Sequence, residues 1–343
     1  MMRVWGQSTW QRVAVLALLL VLIAFSFGPA ASPLPMTPDR PEIVSDTVLY
    51  RHIVQRMGGG TGYYAAVALE HRAHDFPLKP FLTVRLPSMS WIHVSGDPQV
   101  MLWALLLLTA IAWAAVPELH VWERPVVSLL IVAGGWQALA EPGAWIHEIW
   151  ASLLLAMSIA IYRHRKWWLA IIPALAAVMM RELALPFLLL AGTLALYDGR
   201  RQEAAAWAGA TLIFASFIVA HSVEVSQIVL PDDKGSPGWL VLLGYPEVVQ
   251  RIAKLTPFAL LPHQIMNTVV VISWFGWLGL RNRRGVFVFL FLTGMTVFLA
   301  TFPRYNNAFW PLIITPLWLA GLTFVPRLGR WLIGEPKKPL LIS

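Results

Sequence analysis

The side chains of this sequence that can do acid–base or anion chemistry lie next to apolar runs rather than inside them. Asp46 directly follows Ser45 at the start of a long polar segment and is a candidate general base. Arg181 and Arg304 stand at the ends of apolar runs, in MMRELALPF and TFPRYNNAFWP. A guanidinium keeps its charge and can hold two oxygens of an anion at once. Both arginines are therefore candidate anion-binding groups, with Tyr305 beside the second.

Two further acids are candidates for a catalytic role. Glu141 and Glu148 belong to EPGAWIHEIW, where either can supply a second acid to a site or belong to a solvated turn after Pro142. The remaining candidates are polar residues suited to substrate contacts, namely Tyr50, Tyr64, His71 and Glu182.

Each of these residues also has a purely structural interpretation. At a helix start, Asp46 would satisfy amide hydrogens and the helix dipole. Arg181 and Arg304 would anchor helix ends by reaching toward lipid headgroups. The spacing of His71 and His74 can place two metal ligands on one helix face, but a solvated face is the alternative.

The composition places the chain in a membrane. Hydrophobic residues make up 58% of its 343 residues and charged residues only 13%. The mean hydropathy is +0.64, so a soluble globule would expose too much apolar surface. Many of the 18 Trp lie near the ends of apolar runs, where the ring suits the headgroup layer. Without Cys, disulfides and thiolate chemistry are excluded.

The apolar runs predict an all-α polytopic membrane protein with about ten transmembrane helices in a single integral-membrane domain, residues 1–343. The first run, 13–27, resembles a secretory signal, but the many later runs favour an uncleaved helix. The later runs lie near residues 99–116, 125–140, 146–162, 167–180, 184–197, 204–221, 263–280, 285–302 and 309–325.

The segment from Ser45 to Trp91 is too polar to lie in lipid. Its pattern predicts two short amphipathic helices, about residues 46–57 and 61–75, joined by three consecutive glycines. We expect this segment to lie on the membrane as a polar cap.

Basic residues fall mainly in the loops of one side, as in RHRK, GRR and RNRR, and mark that side as cytoplasmic. Both termini are then cytoplasmic, and two long loops, residues 28–98 and 222–262, are extracytoplasmic. The net charge of +8 describes this topology, so no nucleic-acid partner is expected. No Gly-rich phosphate loop or HExxH motif is present.

Taken together, these features resemble the GT-C glycosyltransferases, which include protein O-mannosyltransferases and lipid A aminoarabinose transferases. The resemblance rests on a long first outer loop with an acid after the first helix, on Arg181-Glu182 in a short outer loop, and on Arg304-Tyr305 before a Pro-containing helix.

The resemblance implies an enzyme of the cytoplasmic (inner) membrane with an extracytoplasmic active site. Its substrates would be a polyprenyl-phosphate sugar donor, met among membrane lipids, and an unknown lipid, glycan or protein acceptor. Asp46 would be the general base, and Arg304, Arg181 and Tyr305 would hold the donor phosphate. Ser45-Asp46-Thr47 carries one acid where many members carry two. The sequence therefore identifies no cofactor with certainty. Whether the enzyme uses a divalent metal stays open.

Two other classes of membrane protein compete with this interpretation. A transporter or lipid-linked sugar flippase would favour internal repeats and charges near the bilayer midplane, whereas the polar residues here are peripheral. A non-catalytic membrane scaffold is the third class.

The charge pattern makes a topological prediction. Reporters fused at Gly59 and near Gly235 should read as extracytoplasmic, and one near Arg283 as cytoplasmic, because the basic loops are one-sided. A cytoplasmic signal from Gly59 would contradict the assignment, since the candidate acids would then face the wrong compartment.

Overall fold

The computed structural model describes residues 8–29, 45–236, 238–302 and 307–334, and these residues form helices and loops without a strand. An isolated parallel β-bridge joins Lys79 and Gly235. The helices are α1 (Thr9–Phe25), α2 (Asp46–Gly58), α3 (Tyr63–Ala73), α4 (Ser88–Ser95), α5 (Pro98–Ala114), α6 (Glu123–Gly134), α7 (His147–Ile161), α8 (Trp168–Met180), α9 (Leu185–Tyr197), α10 (Arg201–Ile228), α11 (Tyr245–Lys254), α12 (His263–Gly276), α13 (Arg283–Thr301), α14 (Thr315–Ala320) and α15 (Val325–Leu332). The all-α prediction is confirmed for this part of the chain.

The two amphipathic helices of the polar cap form close to their predicted bounds, as α2 and α3. The Ser45 hydroxyl accepts a hydrogen bond from the Val48 amide at the start of α2. After α2 the chain reverses at Gly60, whose φ of 92° favours glycine. The apolar faces of α2 and α3 pack on each other and on Val225 near the end of α10. The cap is therefore held by its own small core.

Helix lengths limit how many spans the structure supports. Among the described residues, α10 and α13 are long and apolar enough to cross a membrane, with 28 and 19 residues. The segment Phe81–Ser95 and α5 reach that length together, but they are bent by 104° at the break between them. A bilayer core of about 30 Å needs about 20 helical residues, and α8 has only 13. The predicted number of ten spans is therefore not confirmed by length.

Buried tryptophans tie the helices of the main core together. Trp113, Trp277 and Trp318 are fully buried. Their indole N–H groups donate to the backbone carbonyls of Ala156 at 3.1 Å, Leu317 at 2.8 Å and Val270 at 2.7 Å, respectively. Each bond links two different segments, so the polar end of each of these three rings is satisfied inside the apolar core.

A close approach of two backbones in this core needs glycine. A Cβ built on Gly321 would lie 1.9 Å from the carbonyl oxygen of Ser273 in α12, and one on Gly276 would lie 2.0 Å from the Gly321 oxygen. No side chain fits at such distances. The contact between α12 and the short helix Gly321–Phe324 therefore depends on hydrogen at both positions.

This contact predicts that Gly321→Ala lowers the free energy of unfolding by about 1–3 kcal/mol or more, because the added methyl group overpacks a backbone contact. The measurement is thermal and denaturant unfolding of purified protein in detergent. Gly294→Ala is the matched control: Gly294 lies in α13 with nothing within 4 Å of its Cβ position. It should be neutral or stabilising by up to about 1 kcal/mol. Equal effects of the two variants would contradict the packing argument.

Candidate functional site

Arg181 occupies the point where α8 ends. Its amide still donates to the Ala177 carbonyl at 2.9 Å, but its own backbone is extended, with φ −151° and ψ 116°. The helices α7 and α8 pack against each other and are joined by the short connection 162–167. A short connection makes neighbouring helices antiparallel. The end of α8 therefore meets the start of α7, where Glu148 lies in the first turn.

The Arg181 guanidinium lies between two carboxylates. Its side chain is 0% exposed. Its Nε donates to Glu148 Oε1 at 2.8 Å, and Nη1 donates to Glu182 Oε1 at 2.6 Å. Arg85 approaches the same Glu182 oxygen with Nη1 at 3.6 Å and donates from Nε to the Tyr50 hydroxyl at 3.1 Å. We call these five residues, from four segments of the chain, the Arg181 cluster.

Neutral hydrogen bonds hold the polar cap against this cluster. The Tyr63 hydroxyl donates to the Arg85 carbonyl at 2.6 Å, which fixes the backbone that carries the guanidinium. The Ser88 hydroxyl donates to the Met179 carbonyl at 2.7 Å, which joins the start of α4 to the end of α8. These bonds position Arg85 over the end of the bundle.

One donor of the cluster is left open. Arg181 Nη2 is buried and has no hydrogen-bond partner among the described residues. The guanidinium also lies over the Trp310 ring, with Cζ 5.5 Å from the ring centroid. A buried guanidinium N–H without an acceptor is costly. A guanidinium N–H of this kind is a donor that can bind an anionic oxygen.

Asp46 borders the cluster from the first turn of α2. It is exposed and lies four residues before Tyr50, so the two share one helix face. Burial raises the pKa of Tyr50 to about 12, the Arg85 charge opposes this increase, and the Asp46 charge adds to it. The tyrosine therefore stays a protonated hydroxyl at neutral pH, and Asp46 is the exposed carboxylate beside it.

The other predicted site residues make contacts of their own. Glu141 is exposed and accepts from Arg51 Nη2 at 2.5 and 2.6 Å. The Tyr64 hydroxyl shares a 3.1 Å hydrogen bond with Nδ1 of His221 on α10. His71 is buried and its Nδ1 donates to the Pro77 carbonyl at 3.0 Å.

Burial also lowers the pKa of His71 to about 4. The ring is therefore neutral at physiological pH, and its polar contact is with its own loop.

The structure thus brings together Asp46, Tyr50, Glu148, Arg181 and Glu182. The predicted phosphate residues Arg304 and Tyr305 lie outside the described residues.

Two residues of this region, Arg85 in the cluster and His147 beside it, are not among the predicted site residues. Arg85 is the only charged residue in PFLTVRLPSMSW, which is the signal that marks it. His147 packs edge-on against Tyr50, with the ring centroids 4.8 Å apart. It adjoins Glu148 in the sequence, so the first turn of α7 contributes two polar groups.

The chain matches no protein-family model, no curated protein and no solved structure.

The burial of the Arg181 cluster leads to a stability prediction. Arg181→Met should destabilise the fold by about 3–5 kcal/mol, because it leaves Glu148 buried without its counter-charge. Combining it with Glu148→Gln should recover part of this loss, as measured by denaturant unfolding in detergent.

The matched control is Arg51→Met, which removes a pair whose side chains are 43% and 61% exposed. It should cost at most about 1 kcal/mol. If Arg181→Met costs no more than this control, the cluster contributes nothing to folding.

Proposed function

We propose that this protein is a GT-C type glycosyltransferase that transfers a sugar from a polyprenyl-phosphate donor to a lipid, glycan or protein acceptor at the extracytoplasmic face of the membrane. The observation that carries the proposal is the open Nη2 of buried Arg181, in a cluster bordered by the exposed carboxylate of Asp46. The Arg181 guanidinium would bind the donor phosphate, and the Asp46 carboxylate would take the proton of the acceptor hydroxyl.

In the reaction, the acceptor hydroxyl oxygen attacks the anomeric carbon while the bond between that carbon and the phosphate oxygen breaks. Asp46 takes the hydroxyl proton, and polyprenyl phosphate leaves with the electron pair of the broken bond. This single displacement inverts the anomeric centre. Tyr50, Glu148 and Glu182 hold the guanidiniums of Arg85 and Arg181 in place.

The Arg181 cluster has no net charge of its own. Arg85 and Arg181 carry two positive charges, and Glu148 and Glu182 carry two negative charges, so the four side chains sum to zero. Charge-assisted hydrogen bonds to phosphate are strongest from cations that are not already neutralised. A phosphate arriving at the cluster therefore needs a further cation.

The sequence offers Arg304 as a candidate for that cation. Arg304 lies six residues before Trp310, and the Trp310 ring contacts the Arg181 guanidinium. Six residues of fully extended chain reach at most about 20 Å, so the length of the chain is compatible with a site shared by Arg304 and Arg181. We therefore propose that Arg304 and Tyr305 complete the phosphate site.

We also propose about ten spans with both termini cytoplasmic, and contacts between loops support the assignment of loops to the two sides of the membrane. The two long loops that are proposed to be extracytoplasmic touch each other, since the Leu78 amide donates to the Lys234 carbonyl at 3.0 Å. Basic residues from separate loops meet around Tyr162, whose hydroxyl accepts from Arg200 at 2.5 Å and from Arg283 at 2.9 Å. Loops that the charge pattern assigns to the same side of the membrane therefore contact each other.

The proposal is tested by incubating purified protein with a panel of polyprenyl-phosphate sugars and a membrane extract as the source of acceptor. Release of free polyprenyl phosphate, dependent on the protein, is the expected result. A panel covering hexoses, pentoses and amino sugars that gives no release would count against the transferase, and movement of intact donor across vesicles would favour a flippase.

Asp46→Asn should abolish transfer while the fold stays intact. A general base contributes about 100-fold to 10,000-fold in rate. The cap of α2 is Ser45, so asparagine at position 46 removes only a first-turn charge, worth about 0.3–1 kcal/mol. Turnover is measured by polyprenyl phosphate release at matched thermal stability.

The matched control is Asp97→Asn. Asp97 caps α5 by accepting hydrogen bonds from the amides of Gln99 and Val100 at 2.9 and 3.2 Å. This control should retain normal turnover. Normal turnover in Asp46→Asn as well would remove Asp46 from the mechanism.

A further inference from the structure

Two histidines and a glutamate converge on the polar cap, away from the contacts of the Arg181 cluster. Glu70 and His74 lie four residues apart, at the end of α3, and therefore share one helix face. His52 reaches them from α2, which packs on α3. One ligand atom from each residue lies within 4.8 Å of the others.

The three atoms form a nearly regular triangle. His52 Nδ1 and His74 Nε2 are 3.1 Å apart, and Glu70 Oε2 lies 3.4 Å from the first and 3.2 Å from the second. Ligands at about 2.0 to 2.1 Å from a tetrahedral zinc ion stand about 3.3 Å from one another. The triangle therefore has the size that three ligands of one zinc ion require.

The surroundings suit a metal ion as well. The other carboxylate oxygen of Glu70, Oε1, accepts a hydrogen bond from Arg56 Nε, which orients the carboxylate. The Glu70 side chain is only 6% exposed, whereas His52 is 38% exposed. An open cavity lined by these side chains and by Gln55 gives an ion access from outside.

We propose that His52, Glu70 and His74 bind a zinc ion, or a similar divalent transition metal, with the fourth coordination position open. Two histidines and one carboxylate are a ligand set of catalytic zinc sites, in which water or substrate takes the fourth position. The alternative account is a hydrogen bond between the two imidazoles with no metal. The proposal goes beyond the transferase and does not rest on it, because zinc binding is measured without any sugar donor.

The test uses full-length protein in detergent, with any affinity tag removed and bound metal stripped by a chelator. Zinc titration by calorimetry should give one ion per chain, and zinc should raise the thermal midpoint. Co²⁺ in its place should give the visible absorption of a four-coordinate ion.

His74→Ala and Glu70→Gln should each weaken zinc binding by more than about 100-fold, since losing a residue that only orients a ligand already costs about 10-fold to 100-fold. His263→Ala, which removes an exposed histidine at the start of α12, is the control and should bind as the parent does. Metal-free thermal midpoints establish that each variant is folded. Unchanged zinc affinity in folded His74→Ala and Glu70→Gln, or no binding to the parent, would overturn the proposal.

Discussion

The burial of one guanidinium constrains the whole polar end of this protein. Arg181 is shielded from water, and a charge in that position is tolerated only with hydrogen-bonded counter-charges. Its partners are Glu148 in the first turn of α7 and Glu182, the residue that follows Arg181, and Arg85 joins them through Glu182. Separating the polar cap from the bundle would therefore take the Arg85 charge away from Glu182, whereas Arg181 would keep its two carboxylate partners.

Helix α2 separates two polar sites. Tyr50 and His52 are two residues apart, which is about 200° around a helix, so they point in nearly opposite directions. Tyr50 faces Arg85 and the Arg181 cluster, whereas His52 faces Glu70 and His74. One short amphipathic helix thus contributes both to a buried ionic cluster and to the proposed metal site.

Local signals in the sequence are sufficient to predict the cap helices. Ser45 and the glycines after α2 determine the helix ends through short-range hydrogen bonds, and the bounds of α2 and α3 follow. The number of membrane spans cannot be predicted from local signals, because an apolar run does not show where a helix ends. The run near residues 125–140 ends as a helix at Gly134, after 12 residues.

Side-chain pairing between separate segments is also beyond sequence reasoning. The pairs Arg85 with Glu182 and His52 with Glu70 join different elements of the chain, and only tertiary packing decides them. Glu182 stands out in the sequence because Arg181 adjoins it, whereas the partners of Arg85 are remote from it in the chain.

The contact between the two long loops has a consequence for acid tolerance. Arg72 donates to both carboxylate oxygens of Asp233, at 2.7 and 2.8 Å. The Arg72 hydrogen bond lowers the pKa of Asp233 to about 2. A carboxyl group whose pKa is lower in the folded state stabilises the fold at any pH above its pKa in the unfolded chain. That contribution is lost as the pH falls through the pKa of the folded state. The ion pair between Arg72 and Asp233, which joins the two loops, therefore stays charged in mildly acidic surroundings.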